Sequence, residues 1–168
     1  MSIKSILLLG NPVLRQSSED VSFPLSAEDQ QLLADLNDTI KDFKIKNGFG
    51  RGIAAPQIGV LKRVVCVNID GPQYYINPKI VEYSAEKYRL FDDCFSMPEI
   101  MVNIERSKKI TVEFYDQNGE IHVENFEEGM SELLQHEIDH LNGIMAIDRI
   151  TSTKDIWSRK QWHFKQKQ

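Results

Sequence analysis

The chain has 168 residues, with 20 Lys and Arg against 25 Asp and Glu for a net charge of −5, and 41% of its residues are apolar. That length suits one domain over residues 1–168, burying roughly two thirds of its unfolded surface in a single core, and the mildly acidic, evenly mixed charge gives no footing to a DNA or membrane partner. No stretch approaches the ~18 apolar residues of a membrane span, and the run from Ile6 to Leu9 is too short for a secretory leader, so a cytoplasmic protein is expected.

Residues 11–25 carry Pro12 and Pro24 around a polar middle, which predicts an extended arm rather than a helix. Ser26 then reads as an N-cap with Asp29 three residues on. Leu32, Leu33, Leu36, Ile40 and Phe43 follow at helical spacing, predicting an amphipathic helix over about 27–46 that ends at Asn47-Gly48. The small-residue run Gly48 to Gln57 predicts a tight loop with close backbone packing, and no phosphate-loop pattern follows it. Strands are predicted over 63–69, 73–76, 79–84, near 87–91, 108–115 and 120–126, the last two joined as a hairpin through Asp116-Gln117-Asn118-Gly119. A helix over about 127–142 closes at Asn142-Gly143, and 151–168 reads as a helical tail from about 153. The fold class is α+β, mostly antiparallel sheet around a central metal-binding helix.

That last assignment rests on His136-Glu137-Ile138-Asp139-His140. Residues four apart on a helix lie one turn above each other on the same face, so both imidazoles can converge on one metal ion with Glu137 beside them. A catalytic divalent metal takes three protein ligands and leaves a fourth position to water, whose pKa drops to roughly 7. The third ligand is not a downstream glutamate, because no Glu follows Glu137, and the position that would carry a third histidine in the longer peptidase pattern is Ala146. Of the two cysteines, Cys66 lies in a β-branched run and reads as inert core. Cys94 lies in a polar, irregular stretch and is the remaining soft ligand. A Cys-His-His set suits Zn²⁺ or Fe²⁺, and Glu137 can take a proton from water and pass it to a departing amine. Asp139 is expected to orient a ligand histidine.

Three stretches, Gly50-Arg51-Gly52-Ile53-Ala54-Ala55-Pro56-Gln57, Cys94-Phe95-Ser96 and Gln135-His136-Glu137-Ile138-Asp139-His140-Leu141-Asn142-Gly143, resemble the three motifs of peptide deformylases in order and spacing. The similarity covers about residues 3–150. It implies an α+β fold and removal of the formyl group from the initiator methionine of new polypeptides. By the same resemblance Cys94, His136 and His140 hold one divalent ion, Fe²⁺ in cells and Zn²⁺ or Ni²⁺ in preparations. Glu137 is then the acid and base, and Gln57 with the Phe95 backbone N–H cradles the oxyanion. Gly50, Gly52, Asp93, Met101, Glu132 and Leu133 are expected along the substrate groove, and Asp92 paired with Arg106 behind the ligands. Some family members dock a basic C-terminal helix on the ribosome; here Arg159, Lys160, Lys165 and Lys167 could serve a transient contact of that kind, although packing of the tail on the core is the favoured reading.

The middle motif departs from the family, with Asp92-Asp93-Cys94-Phe95-Ser96 where Glu-Gly-Cys-Leu-Ser is usual. Asp93 puts a side chain and a negative charge where a glycine lets substrate pass, and Met101 stands where an arginine is common. These changes predict a groove that repels acidic residues after the formylated one. They also leave room for an altered N-formyl or N-acyl substrate, or for a non-catalytic metal-binding relative whose site is closed by a fourth ligand.

Overall fold

The computed structural model describes residues 3–167. After the arm comes helix α1 (Ala27–Asn47), then strands β1 (Gly52–Ala54), β2 (Val64–Asn68), β3 (Pro72–Tyr83), β4 (Lys87–Asp93), β5 (Ile100–Ser107), β6 (Lys109–Tyr115) and β7 (Ile121–Glu127), helix α2 (Glu128–Leu141), strand β8 (Ile156–Ser158) and helix α3 (Arg159–Gln166). All pairings within the sheets are antiparallel, in a five-stranded sheet ordered β1-β2-β3-β6-β7 and a three-stranded sheet ordered β4-β5-β8. This is the α+β class expected from the sequence. Among the described residues no helix is long and apolar enough to cross a membrane.

Strand β2 shows how the core is organised. A strand covered on both faces is apolar throughout instead of alternating, and Val64, Val65, Cys66 and Val67 are all buried. Val64 and Cys66 pack with Leu36 and Ile40 of α1, whereas Val65 and Val67 pack with Leu134 and Ile138 of α2. Burial raises the Cys66 thiol to about 12, which makes it the inert core residue expected. A third apolar cluster, with Leu14, Cys94, Met97, Val102, Ile104 and Met145, carries the three-stranded sheet. Helix α2 lies against strands of both sheets.

Several local expectations need correction. Residues Pro12–Arg15 form a 3-10 turn capped by Asn11 inside the otherwise extended arm. The run after Gly50 is not simply a loop: Gly52–Ala54 pairs with β2 and Ala55–Ile58 makes a 3-10 turn. The two strands expected at 73–76 and 79–84 are one strand, β3, with a register shift between Ile76 and Lys79. Asn77 there has a left-handed φ of 50° and its side chain bonds both backbone groups of Val21, and Pro78 has no N–H for the ladder. The tail is not helical from 153. Thr153–Asp155 is a 3-10 turn, and Ile156-Trp157-Ser158 pairs with the edge of β5 before Ser158 caps α3 by accepting from the Gln161 N–H. β-branched and aromatic residues beside an open strand edge outweighed the weak helical spacing.

At the start of α1 the capping box is complete: Ser26 Oγ accepts from the Asp29 N–H at 3.1 Å and the Asp29 carboxylate accepts from the Ser26 N–H at 3.2 Å. Lys62 also pairs with Asp29. Burial by itself raises the Asp29 pKa, but the bonds from Lys62 and Ser26 outweigh it and hold it below the usual aspartate value. A lowered folded-state pKa adds stability above the unfolded range near ~3.9 and loses it as pH falls through the folded value. Asp29→Asn should therefore cost about 1 kcal/mol at neutral pH, with the gap from wild type narrowing below about pH 4. Urea unfolding of both metal-free proteins at pH 7 and pH 3 checks this, and a gap of equal size at both pH values would contradict it.

Candidate active site

Helix α2 presents His136 and His140 one turn apart, and the end of β4 delivers Cys94 to them. The His140 Nε2 lies 3.2 Å from the His136 Nε2 and 3.2 Å from the Cys94 Sγ. All three residues are buried and their donor atoms lie within 4.8 Å of one another. A tetrahedral ion with nitrogen ligands near 2.0–2.1 Å and sulfur near 2.3 Å has donor–donor edges of about 3.3–3.6 Å, so the spacing matches one ion held by three donors. Among the described residues no fourth His, Cys, Asp or Glu joins the group. Cys66 in particular stands apart, which removes the closed structural site and leaves the open arrangement of a catalytic one. A second acidic group, Asp116, Glu120 and His122, sits on the β6–β7 hairpin, where Asp116 Oδ1 is already used to accept the Asn118 and Glu120 N–H groups of the turn.

Behind the donors runs a chain of charges. Asp92 Oδ1 lies 2.8 Å from the His136 Nδ1, and Asp92 Oδ2 accepts from Arg106 Nη2 at 2.9 Å. Arg106 Nη1 donates to Asp139 Oδ2 at 2.6 Å, and Arg149 Nη2 donates to Asp139 Oδ1 at 2.5 Å. Burial raises the Asp92 pKa, but His136 and Arg106 outweigh it and hold the carboxyl at about 2. Burial likewise pushes His136 down, and Asp92 more than reverses this to put it well above the usual histidine value. Burial and the neighbouring His136 drive His140 well below that value, so it is neutral. A histidine that donates Nδ1–H to a carboxylate presents Nε2 as a strong base, which a metal ion exploits in place of a proton.

Glu137 is buried beside this cluster, and its Oε2 has no hydrogen-bond partner. Burial raises its carboxyl to about 7, the range of an acid and base working at neutral pH. A Cβ on Gly52 would come within 2.8 Å of the Glu137 Oε1 and 3.0 Å of the Leu133 Cδ1. Only a glycine lets β1 run this close. Gln57 is fixed by accepting the Ala54 N–H at 2.9 Å through Oε1, which aims its Nε2 at the Ser96 Oγ (3.2 Å) and the Cys94 Sγ (3.6 Å). A buried donor set of one thiol and two imidazoles, with an unpartnered carboxylate oxygen and an amide donor facing it, fits a metal-dependent hydrolase.

A family model described as polypeptide deformylase matches residues 3–155 of the chain. The chain belongs to the peptide deformylase family. It is 36% identical to a peptide deformylase of Pseudothermotoga lettingae over 159 residues, 95% of this chain and 90% of that protein, and 38% identical to one of Rhizobium meliloti, covering 92% and 88%. The crystal structure of the Thermotoga maritima peptide deformylase superposes with a TM-score of 0.83 at 35% identity over 90% of this chain and all of that one. A Met-Ala-Ser-bound peptide deformylase from Acinetobacter baumannii superposes with a TM-score of 0.82 at 29% identity, covering 89% and 100%. Like its family, the protein is a metal-dependent hydrolase that removes the N-formyl group from newly made polypeptides.

The deformylase motifs come together in space, but three expectations change. The Asp139 carboxylate hydrogen-bonds to neither ligand histidine; it clamps Arg106 and Arg149, and the carboxylate that orients His136 is Asp92. Met101 does not line an open groove, because it is buried in β5 between Asp93 of β4 and Trp157 of β8. The Asp93 carboxylate is not bare, since Arg159 Nη2 donates to its Oδ2 at 2.9 Å. Glu132 pairs with Arg51 at 2.9 Å. Sequence reasoning gave Phe95 only a backbone role, yet its ring stacks on Phe43 at 3.8 Å and meets Phe49 edge-on, and Gly50, with a φ of 123°, would place a Cβ 2.4 Å from it. Phe43 and Phe49 flank the glycine motif and could have been read as a wall; Arg149 and Arg159 carry no local signal. Replacing Asp92 with Asn should weaken metal affinity by about 10–100-fold, because His136 loses its orienting carboxylate. Competition with a chelating dye measures this, and wild-type affinity in the variant would show that Asp92 does not tune the site.

Proposed function

We propose that Cys94, His136 and His140 hold one divalent metal ion, Fe²⁺ in the cell and Zn²⁺ or Ni²⁺ in preparations, in a cytoplasmic enzyme that deformylates the N-terminal methionine. The carrying observation is the convergence of one thiol and two imidazoles, with His140 3.2 Å from each of the other two donors and no fourth donor among the described residues. When bound, such an ion polarises a carbonyl oxygen and acidifies water. The chain's own groups do the rest. Glu137 takes the proton of the water that adds to the formyl carbon and delivers it to the amine nitrogen as the C–N bond breaks, which releases formate. Gln57 Nε2 and the Phe95 N–H donate to the oxygen where negative charge develops. Asp92, Arg106, Asp139 and Arg149 hold His136 in place, and Leu133 with Gly52 shapes the floor beside Glu137.

Residues 3–155 carry all of this chemistry, and 156–167 pack against it. Trp157 and Trp162 meet the Phe91 ring, and Lys165 lies over Trp157. Of the basic tail residues proposed for a transient ribosome contact, Lys160, Lys165 and Lys167 are exposed and Arg159 is partly buried.

Iron-loaded protein prepared without oxygen should release formate from formyl-Met-Ala-Ser. Glu137→Ala should retain the metal and lose turnover, because Glu137 moves protons and is not a ligand; an empty site in that variant would reassign it. Gln57→Leu should lower kcat by about a hundredfold or more with metal content unchanged. A rate equal to wild type would remove Gln57 from the transition state.

A further inference from the structure

Two ion pairs lie near Cys94 and Glu137. In one, Arg51, between the glycines that pass Phe95 and Glu137, pairs with Glu132. In the other, Asp93, next to Cys94, pairs with Arg159. Arg51 also feels the charge of Asp93. Arg159 is the first residue of α3, and β8 delivers it to this point by pairing with β5, with its own N–H donating to the Glu99 carbonyl at 2.8 Å. Its guanidinium lies 3.9 Å over the Phe49 ring and also donates to the Pro98 carbonyl. One side chain therefore touches the loop before β1 and the end of β4, the two segments that bound the approach. Its side chain is only 13% exposed, against 35% for Asp93, so the arginine is held in place while the carboxylate remains open to a ligand.

We propose that Arg159 is a specificity-determining residue of the deformylase groove: by neutralising Asp93 and stacking on Phe49, it sets which charges the groove accepts immediately after the formylated methionine. This rests on the deformylase reading of the site. An extended peptide advances about 3.3 Å per residue, so a substrate whose formyl group lies at Cys94 carries its next residues past Asp93 and Arg159. With the pair intact the local charge is balanced, and acidic and basic residues are treated nearly alike. Without Arg159, the Asp93 carboxylate stands alone and repels acidic residues. Without the Asp93 charge, the guanidinium favours them. The effect acts through partly exposed charges and weakens as salt is added.

The test compares formyl-Met-Asp-Asp-amide with formyl-Met-Lys-Lys-amide in wild type, Arg159→Gln, Asp93→Asn and the double variant, all metal-loaded. Arg159→Gln should lower the ratio of kcat/KM for the acidic over the basic substrate about tenfold, Asp93→Asn should raise it, and the double variant should return it near wild type. The Kd values of the products Met-Asp-Asp-amide and Met-Lys-Lys-amide, read by tryptophan fluorescence, should shift in the same directions. This second readout separates the proposal from the activity: absent formate release in wild type overturns the deformylase reading, while the product ratios still decide the role of Arg159. Equal losses on both peptides, or a shift in the double variant as large as in Arg159→Gln, would make Arg159 a packing residue only. Should Arg159→Gln fail to fold, the Asp93→Asn arm decides, since an unchanged ratio there overturns the proposal.

Discussion

The buried guanidinium of Arg106 is the constraint on which the site depends. It enters from β5 and meets Asp92 of β4 on one side and Asp139 of α2 on the other, so it joins the three-stranded sheet to the helix that carries both histidines. Two carboxylates against one arginine would leave an excess negative charge in a poorly solvated place. Arg149 supplies the second cation at Asp139, and the Asp92 carboxylate is shared with His136. A buried network of this kind depends on its charges being paired, and both terminal nitrogens of Arg106 are, while its Nε has no partner among the described residues. Its gain is geometric, because the position of the His136 ring is referred through Asp92 to two separate elements.

The second constraint is how closely the backbone can approach the helix. Strand β1 is short, yet it lies directly against Glu137 and Leu133, because Gly52 has no side chain to hold it away. Helix α2 in turn packs on Val65 and Val67 of β2 and also contacts β5 of the other sheet. The ends of these elements then bring Gln57, Cys94 and Glu137 to one place. At Gly143 the helix stops where a Cβ would strike the Arg15 backbone at 2.7 Å, so the arm that wraps the helix end also fixes its length.

These constraints also separate chemistry from selectivity. The donor cluster and the Asp92–Arg106 pair behind it are buried, whereas the charged residues at the approach, Arg51, Glu132, Asp93 and Arg159, are only partly buried. Partly exposed pairs contribute little to stability. They can therefore change without disturbing the metal site, which accounts for an ordinary centre combined with an unusual middle motif.

The sequence by itself determined α1, β2, the β6–β7 hairpin, α2 and the candidate donors, but not β1, β5 or β8. The 3.6-residue spacing of α1, the capping box at Ser26, the apolar run of β2 and the four-residue spacing of His136 and His140 are local patterns whose physics acts within a few residues, and they could be read without coordinates. The candidate site was legible for the same reason, since its residues lie in three short motifs. Only the tertiary structure decided what those residues touch. Asp92 rather than Asp139 reached the histidine because the register of β4 against β5, not helical spacing, sets which carboxylate faces α2. Met101 was buried and Asp93 neutralised because Ile156 to Ser158 completed an open strand edge and brought Arg159, 66 residues along the chain, onto the carboxylate. Contacts between residues so far apart are set by which sheet edge is left unpaired and what can cover it, and no local pattern in the chain encodes that.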